Sequence, residues 1–112
     1  MNPELTKMIN QFGYLKELKK DCLHKGDQVF LKTQNSIYTL NVDGDEQYIV
    51  SGGWFDKHNL SHTKVKINGC TWGGSVIKYD IVAACGLFIE FGNRLTTSKI
   101  QKIIIIPNEC LN

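Results

Sequence analysis

The sequence predicts a mainly β fold: a small antiparallel β-barrel or β-sandwich carrying one N-terminal amphipathic helix. Three observations lead there. From Gln28 onward apolar and polar residues alternate with period two, as half-buried strands do. Turn residues recur about every ten positions, which suits about six to eight short strands in a barrel or sandwich. A long helical period occurs only at the N-terminus, which disfavours a doubly wound α/β architecture. At 112 residues, 42% hydrophobic and 21% charged, the chain has ordinary globular composition and enough length for one core. It divides into a helix over 1–24 and a β domain over 25–112.

The helix is expected to start at Asn2-Pro3-Glu4, with a capping Asn, Pro in the first helical position and an acid in the first turn. Leu5, Met8, Ile9, Phe12, Leu15, Leu18 and Cys22 follow at helical spacing and make one apolar stripe. Lys7, Lys16, Lys19 and Lys20 fall largely off it and read as a solvated face. Gly13 weakens the helix by about 1 kcal/mol relative to Ala, so it marks a place for a break. The stripe either packs on the β domain or is shared with a partner or a second copy.

His24-Lys25-Gly26-Asp27 turns the chain into the β region. Val29, Leu31 and Thr33 alternate with Gln28, Phe30 and Lys32; after the turn Gln34-Asn35-Ser36, Tyr38, Leu40 and Val42 alternate with Ile37, Thr39 and Asn41. Asp43-Gly44-Asp45 turns again into a strand over Gln47–Ser51. Connections this short make the three strands an antiparallel meander. Gly52-Gly53 beside Trp54 ends it, and Asp56–His62 reads as the longest exposed loop.

Asn68-Gly69 after Thr63–Ile67 is a hairpin signal, because Asn-Gly favours positive φ at both central turn positions. Gly73-Gly74 beside Trp72 marks a bulge, a bend or a close approach of backbone. Val76–Tyr79 resumes a strand. Asp80–Gly86 fits a helical turn or a tightly packed strand equally. Leu87, Ile89 and Phe91 alternate with Phe88 and Glu90, Gly92-Asn93-Arg94 turns, and a last strand runs from about Leu95 to Ile106 with an interruption near Ser98. Ile103–Ile106 lacks polar alternation and is expected to be buried on both faces. Lys99, Lys102 and Pro107 bracket it as gatekeepers.

Gly26-Asp27-Gln28-Val29, Thr33–Tyr38, Gly52-Gly53, Asn68-Gly69-Cys70 with Gly73-Gly74-Ser75, and Thr96–Ile100 together resemble a pattern in short bacterial all-β proteins without an assigned activity. The resemblance covers about Gly26 to Ile103. It implies an all-β core and no functional residues. Cys70 stands where the pattern suggests Ser, which argues against a thiol mechanism there.

Several functions can be weighed on residues. A net charge of +2 does not by itself argue for nucleic acid or membrane. The longest apolar run, Ile103–Pro107, is too short to span a bilayer. No charged segment followed by an apolar stretch opens the chain, and Cys22, Cys70, Cys85 and Cys110 form no Cys-x-x-Cys, so reduced thiols and a cytoplasmic location are the expectation. Asp56, His58 and His62 are the candidates for a metal, but they sit in a loop without paired ligand spacing, so no metal or other cofactor is expected. Cys70 or Ser75 with His62 and Asp80 can be written as a triad, yet no nucleophile elbow or Cys signature supports it, and an enzyme is not the favoured reading. Phe30, Trp54, Trp72 and Phe88 can stack bases and Lys32, Lys64, Lys66 and Lys99 supply charge, but no RNA-binding motif accompanies them.

The favoured reading is a non-enzymatic domain that contacts a protein partner or a second copy of itself, with the N-terminal helix as one contact element. Its expected surface is Gly52, Gly53, Trp54, Trp72, Gly73, Gly74 and Ser75, gathered at one end of the domain. Backbone amides at Gly73, Gly74 and Ser75 can also form an anion-binding nest. The alternative is a ligand- or single-stranded nucleic-acid-binding module on the same aromatic surface. At each glycine pair, geometry is the simpler explanation.

Overall fold

The computed structural model describes residues 15–44, 46–73 and 76–108. The strands are β1 (Glu17–Lys19), β2 (Gln28–Thr33), β3 (Ile37–Gly44), β4 (Gln47–Gly52), β5 (Thr63–Gly73), β6 (Val76–Lys78), β7 (Ile81–Ala84), β8 (Phe88–Phe91) and β9 (Ile100–Ile106), with one short helix, α1 (Gly53–Lys57), between β4 and β5. The strand order is β6-β5-β4-β3-β2-β9, β8 also pairs with β5, and β1 pairs with β7. All of these pairs are antiparallel.

The meander follows its alternation. Val29, Leu31 and Thr33 on β2, Tyr38, Leu40 and Val42 on β3, and Tyr48 and Val50 on β4 point inward and are buried. The Gln34-Asn35-Ser36 turn is tied by Thr33, whose hydroxyl donates to the Ser36 carbonyl and accepts from the Ser36 N–H, each at 3.1 Å. β5 changes partners along its length: β4 lies against Thr63–Lys66, then β8 and β6 against Ile67–Gly73. β7, buried at all four residues, packs against β5, β8 and β9. The Leu15 N–H donates to the Ile103 carbonyl at 2.8 Å just before β1 pairs with β7. The sheet thus curls into a half-barrel around Leu31, Leu40, Val50, Phe55, Ile67, Ile89, Phe91 and Ile103.

The structure corrects several expectations. No helix runs through residues 15–24. Glu17–Lys19 is a strand with Leu18 buried, followed by a single 3-10 turn at Lys20–Cys22. Pairing with β7 and the bond to β9 satisfy this backbone and override a helix propensity that is only a weak prior. Asn2-Pro3-Glu4, Leu5, Met8, Ile9, Phe12 and Gly13 lie outside the described residues. Asn68-Gly69 is not a hairpin turn. It is a bulge inside continuous β5, where the register against β8 shifts between Ile67 and Gly69. A Cβ on Gly69 would stand 2.2 Å from the Lys78 carbonyl oxygen, so glycine is needed for β6 to come alongside. The exposed loop after β4 begins as α1, too short to show a period in sequence. Asp80–Gly86 resolves into β7. The last strand begins at Ile100 rather than near Leu95, with one isolated bridge between Glu90 and Thr96 ahead of it.

Candidate interaction surface

At the first glycine pair, both residues need to be glycine for steric reasons. Gly52 has φ +93°, and a Cβ there would sit 2.1 Å from the Ile37 carbonyl oxygen across the β3–β4 pairing. Gly53 has φ +47°, and its Cβ would enter the Tyr38 ring at 2.3 Å. The absent side chains let α1 turn down onto the core. Phe55 becomes fully buried there, with its ring edge-on to Tyr38 and Phe91 at 6.3 and 5.3 Å. Trp54 is half-buried; its N–H donates to the Tyr38 hydroxyl at 3.3 Å and its ring stacks on His58 at 4.1 Å. This segment is a seating for α1.

Asp56 completes that seating. Its carboxylate accepts from the Gly52 N–H at 3.1 Å and from the Ser61 hydroxyl. The Ser61 hydroxyl first, and then the Gly52 amide, hold the Asp56 carboxyl below its ordinary range. The His58 Nδ1 pairs with the Trp54 carbonyl at 2.9 Å. Among the described residues no three His, Cys, Asp or Glu side chains gather as a metal set.

The second glycine pair stands at the other end of β5. Gly52 lies beyond Val50, the partner of Thr63, whereas Gly73 pairs with Val76 ten residues up the strand, a contour of roughly 33 Å for extended chain. Gly52 and Gly73 thus lie towards different ends of β5 by register. Gly74 and Ser75, and with them most of the possible amide nest, lie outside the described residues. Trp72 is 55% exposed, the Lys78 ammonium sits 5.3 Å from its ring centroid, and Tyr79 is 67% exposed just past β6. Among the described residues β6 pairs with β5 alone and so is a sheet edge; Trp72 stands on β5 beside it and Tyr79 follows its last residue. Sequence reasoning missed Lys78 and Tyr79; the available signal was a Lys-Tyr pair directly after an apolar strand.

Of the two triads written, the one with Ser75 lies outside the described residues, and the one with Cys70 has its histidine well down the strand. His62 precedes the start of β5, about eight residues and roughly 25 Å of extended chain from Cys70. Cys70 is fully buried, its thiol meets the Val82 carbonyl at 3.4 Å, and burial pushes its pKa up to about 12. At neutral pH only about one such thiol in 10^5 is a thiolate. Cys22, Cys70 and Cys85 are all free thiols.

Of the four rings considered for base stacking, Phe30, Trp54 and Phe88 are half-buried and Trp72 alone is exposed. The charges considered with them are dispersed. Lys64 is paired with Asp43 at 2.9 Å, and the Lys64 ammonium holds the Asp43 carboxyl below its usual range. Among the described residues no helix is long and apolar enough to cross a membrane. Comparison with protein-family models, curated proteins and solved structures finds no match.

Proposed function

We propose that this is a non-enzymatic protein-interaction domain that meets its partner, or a second copy of itself, through the β5–β6 hairpin. The observation that carries the reading is the exposure of Trp72 on β5 and of Tyr79 just past β6, the edge strand beside it. Trp and Tyr supply large contact area with few rotors and dominate interface energetics. An edge strand offers unpaired backbone groups to an incoming strand. The pairing of Lys64 with Asp43 and the half-burial of Phe30, Trp54 and Phe88 favour a protein partner over a single-stranded nucleic acid. Free thiols at Cys22 and Cys85, both exposed, support a reducing, cytoplasmic setting.

Sedimentation velocity over a wide concentration range, run on the wild type and on a Trp72→Ala, Tyr79→Ala double variant, tests this. The expected result is reversible association of the wild type, lost in the double variant, with equal urea midpoints. A monomeric wild type, combined with a double variant that loses several kcal/mol of stability, would place these rings in the fold's own packing and overturn the reading.

A further inference from the structure

At the end of the half-barrel where β3 turns into β4, the segment joining β1 to β2 folds over the core face and leaves a cavity of about 270 Å3. Tyr48 forms part of its wall. Tyr48 is 3% exposed and its ring belongs to the core, yet its hydroxyl has no hydrogen-bond partner among the described residues. No buried side-chain oxygen or nitrogen is left without a partner, so the hydroxyl must be the part of Tyr48 that reaches open space, and this cavity is where the residue opens. A neutral hydroxyl nearly enclosed by protein and aimed into a cavity is an unused recognition group.

The remaining wall carries both signs of charge and an apolar side. Lys20 and Lys25 stand with Asp21 and Glu46, while Leu23 and Val42 supply the apolar surface. The Lys20 ammonium already donates to the Asn68 carbonyl at 3.2 Å; Lys25 also lines the cavity, has no hydrogen bond among the described residues, and its charge reaches Asp43 as well. We propose that this cavity binds a small zwitterion of amino-acid type with a short apolar side chain. Glu46, the Tyr48 hydroxyl beside it and Asp21 take the ammonium, Lys25 takes the carboxylate, and Leu23 with Val42 covers the apolar body. Two cations against two anions disfavour a ligand of single charge. The volume equals about nine waters at roughly 30 Å3 each, which suits a ligand of about ten non-hydrogen atoms and falls below the drug-sized range. Burial first, and then Glu46, push the Tyr48 phenol up to about 12, so it stays protonated at neutral pH. This site is separate from the β5–β6 hairpin and does not depend on the reading given to that surface.

The test is an NMR titration of the full chain with L-leucine, with isovalerate (no amine) and isopentylamine (no carboxylate) as comparison probes. The Tyr48 ring and the Leu23 methyls report. Leucine is expected to give saturable shifts at both, and each single-charge probe to bind at least about fivefold more weakly, the size of one net hydrogen bond. Tyr48→Phe removes only the unpaired hydroxyl and is expected to keep the urea midpoint while losing about fivefold in affinity. Lys25→Gln, at an exposed position, gives a second variant with the same expected loss. No saturable shift with leucine, equal binding of isovalerate, or unchanged affinity in both variants overturns the proposal.

Discussion

Replacing Gly52 with Ala tests the account of the first glycine pair, because Gly86 supplies a matched comparison. The two share a positive φ, +93° at Gly52 and +86° at Gly86. Each Ala variant gains the same reduction in unfolded-chain freedom, about 0.4–1 kcal/mol. Each also meets the strain of a side chain at that φ, of order 1–3 kcal/mol. Their surroundings differ sharply. A Cβ at Gly86 meets nothing within 4 Å, whereas at Gly52 it lies 2.1 Å from the Ile37 oxygen and 3.2 Å from the Ile37 carbonyl carbon and the Tyr38 Cα. Those are backbone atoms of β3, so relief requires the β3–β4 ladder to part at the Tyr38–Gly52 pair. Overpacking of this kind costs about 1–3 kcal/mol. Gly52→Ala is therefore expected to be less stable than Gly86→Ala by about 2 kcal/mol. For a chain of this length that is roughly 8 °C in Tm. Urea unfolding followed by tryptophan fluorescence measures the difference, since Trp54 reports on α1. Equal midpoints at unchanged slope would refute the argument that contact with Ile37, rather than φ alone, requires glycine at 52.

The other expectations are briefer. Phe55→Ala should cost about 3–5 kcal/mol, because the ring is fully buried against Tyr38 and Phe91; Trp72→Ala should cost less than about 1 kcal/mol, the scale of its contact with Lys78. Paired urea curves for the two variants check this order. Cys70 should resist a thiol reagent in the native protein while Cys22 and Cys85 react, and mass spectrometry after a timed pulse reads the pattern. Alkali should destabilise the fold: the Cys70 and Tyr48 values are raised from 9.0 and 10.0 to about 12, so the native state holds protons that the unfolded chain releases. Stability should be full below about pH 9 and fall from there towards pH 12, a slope that Cys70→Val reduces and that urea midpoints at stepped pH would reveal or exclude. Asp27→Asn should cost about 1–3 kcal/mol, because the buried carboxylate accepts from the His24 and Asn108 amides at 2.8 Å each and an amide side chain keeps one acceptor only. Faster amide exchange at Asn108 is the accompanying sign.

The meander was legible because one face of each strand is buried, so period two survives in the residues themselves. Val29, Leu31, Tyr38 and Leu40 could be placed on one face of each strand from alternation alone. β7 was not legible: Ile81-Val82-Ala83-Ala84 is covered on both faces, and burial on both sides erases the period that separates strand from helix. Asn68-Gly69 misled for a different reason. The residue pair suits a two-residue turn and a bulge alike, and only the arrival of β6 and β8 on β5 selects the bulge. Gly52-Gly53, and Gly73 at the register shift against β6, were correctly marked as irregular. That Gly52 and Gly73 lie towards different ends of β5 depends on an 11-residue strand which the sequence seemed to interrupt. Tyr48 read as an ordinary inward strand residue, and an unpaired hydroxyl leaves no trace in a sequence.

The pairing of β2 with β9 also has a consequence for synthesis. Residues 28–33 wait for residues 100–106 to complete their ladder, so about 70 residues must leave the ribosome before that edge is covered. The entropy of closing so long a loop grows only slowly with length, and thermodynamics tolerates the delay. Kinetics is the harder constraint, since an open edge recruits neighbouring chains. The order of the strands limits that exposure. The β2–β3–β4 meander can form from local turns first, and the isoleucine run of β9 emerges only when its docking edge already exists. A nascent chain stalled between Phe91 and Ile100 would present a finished meander with a bare β2 edge, and aggregation should peak for truncations ending in that interval.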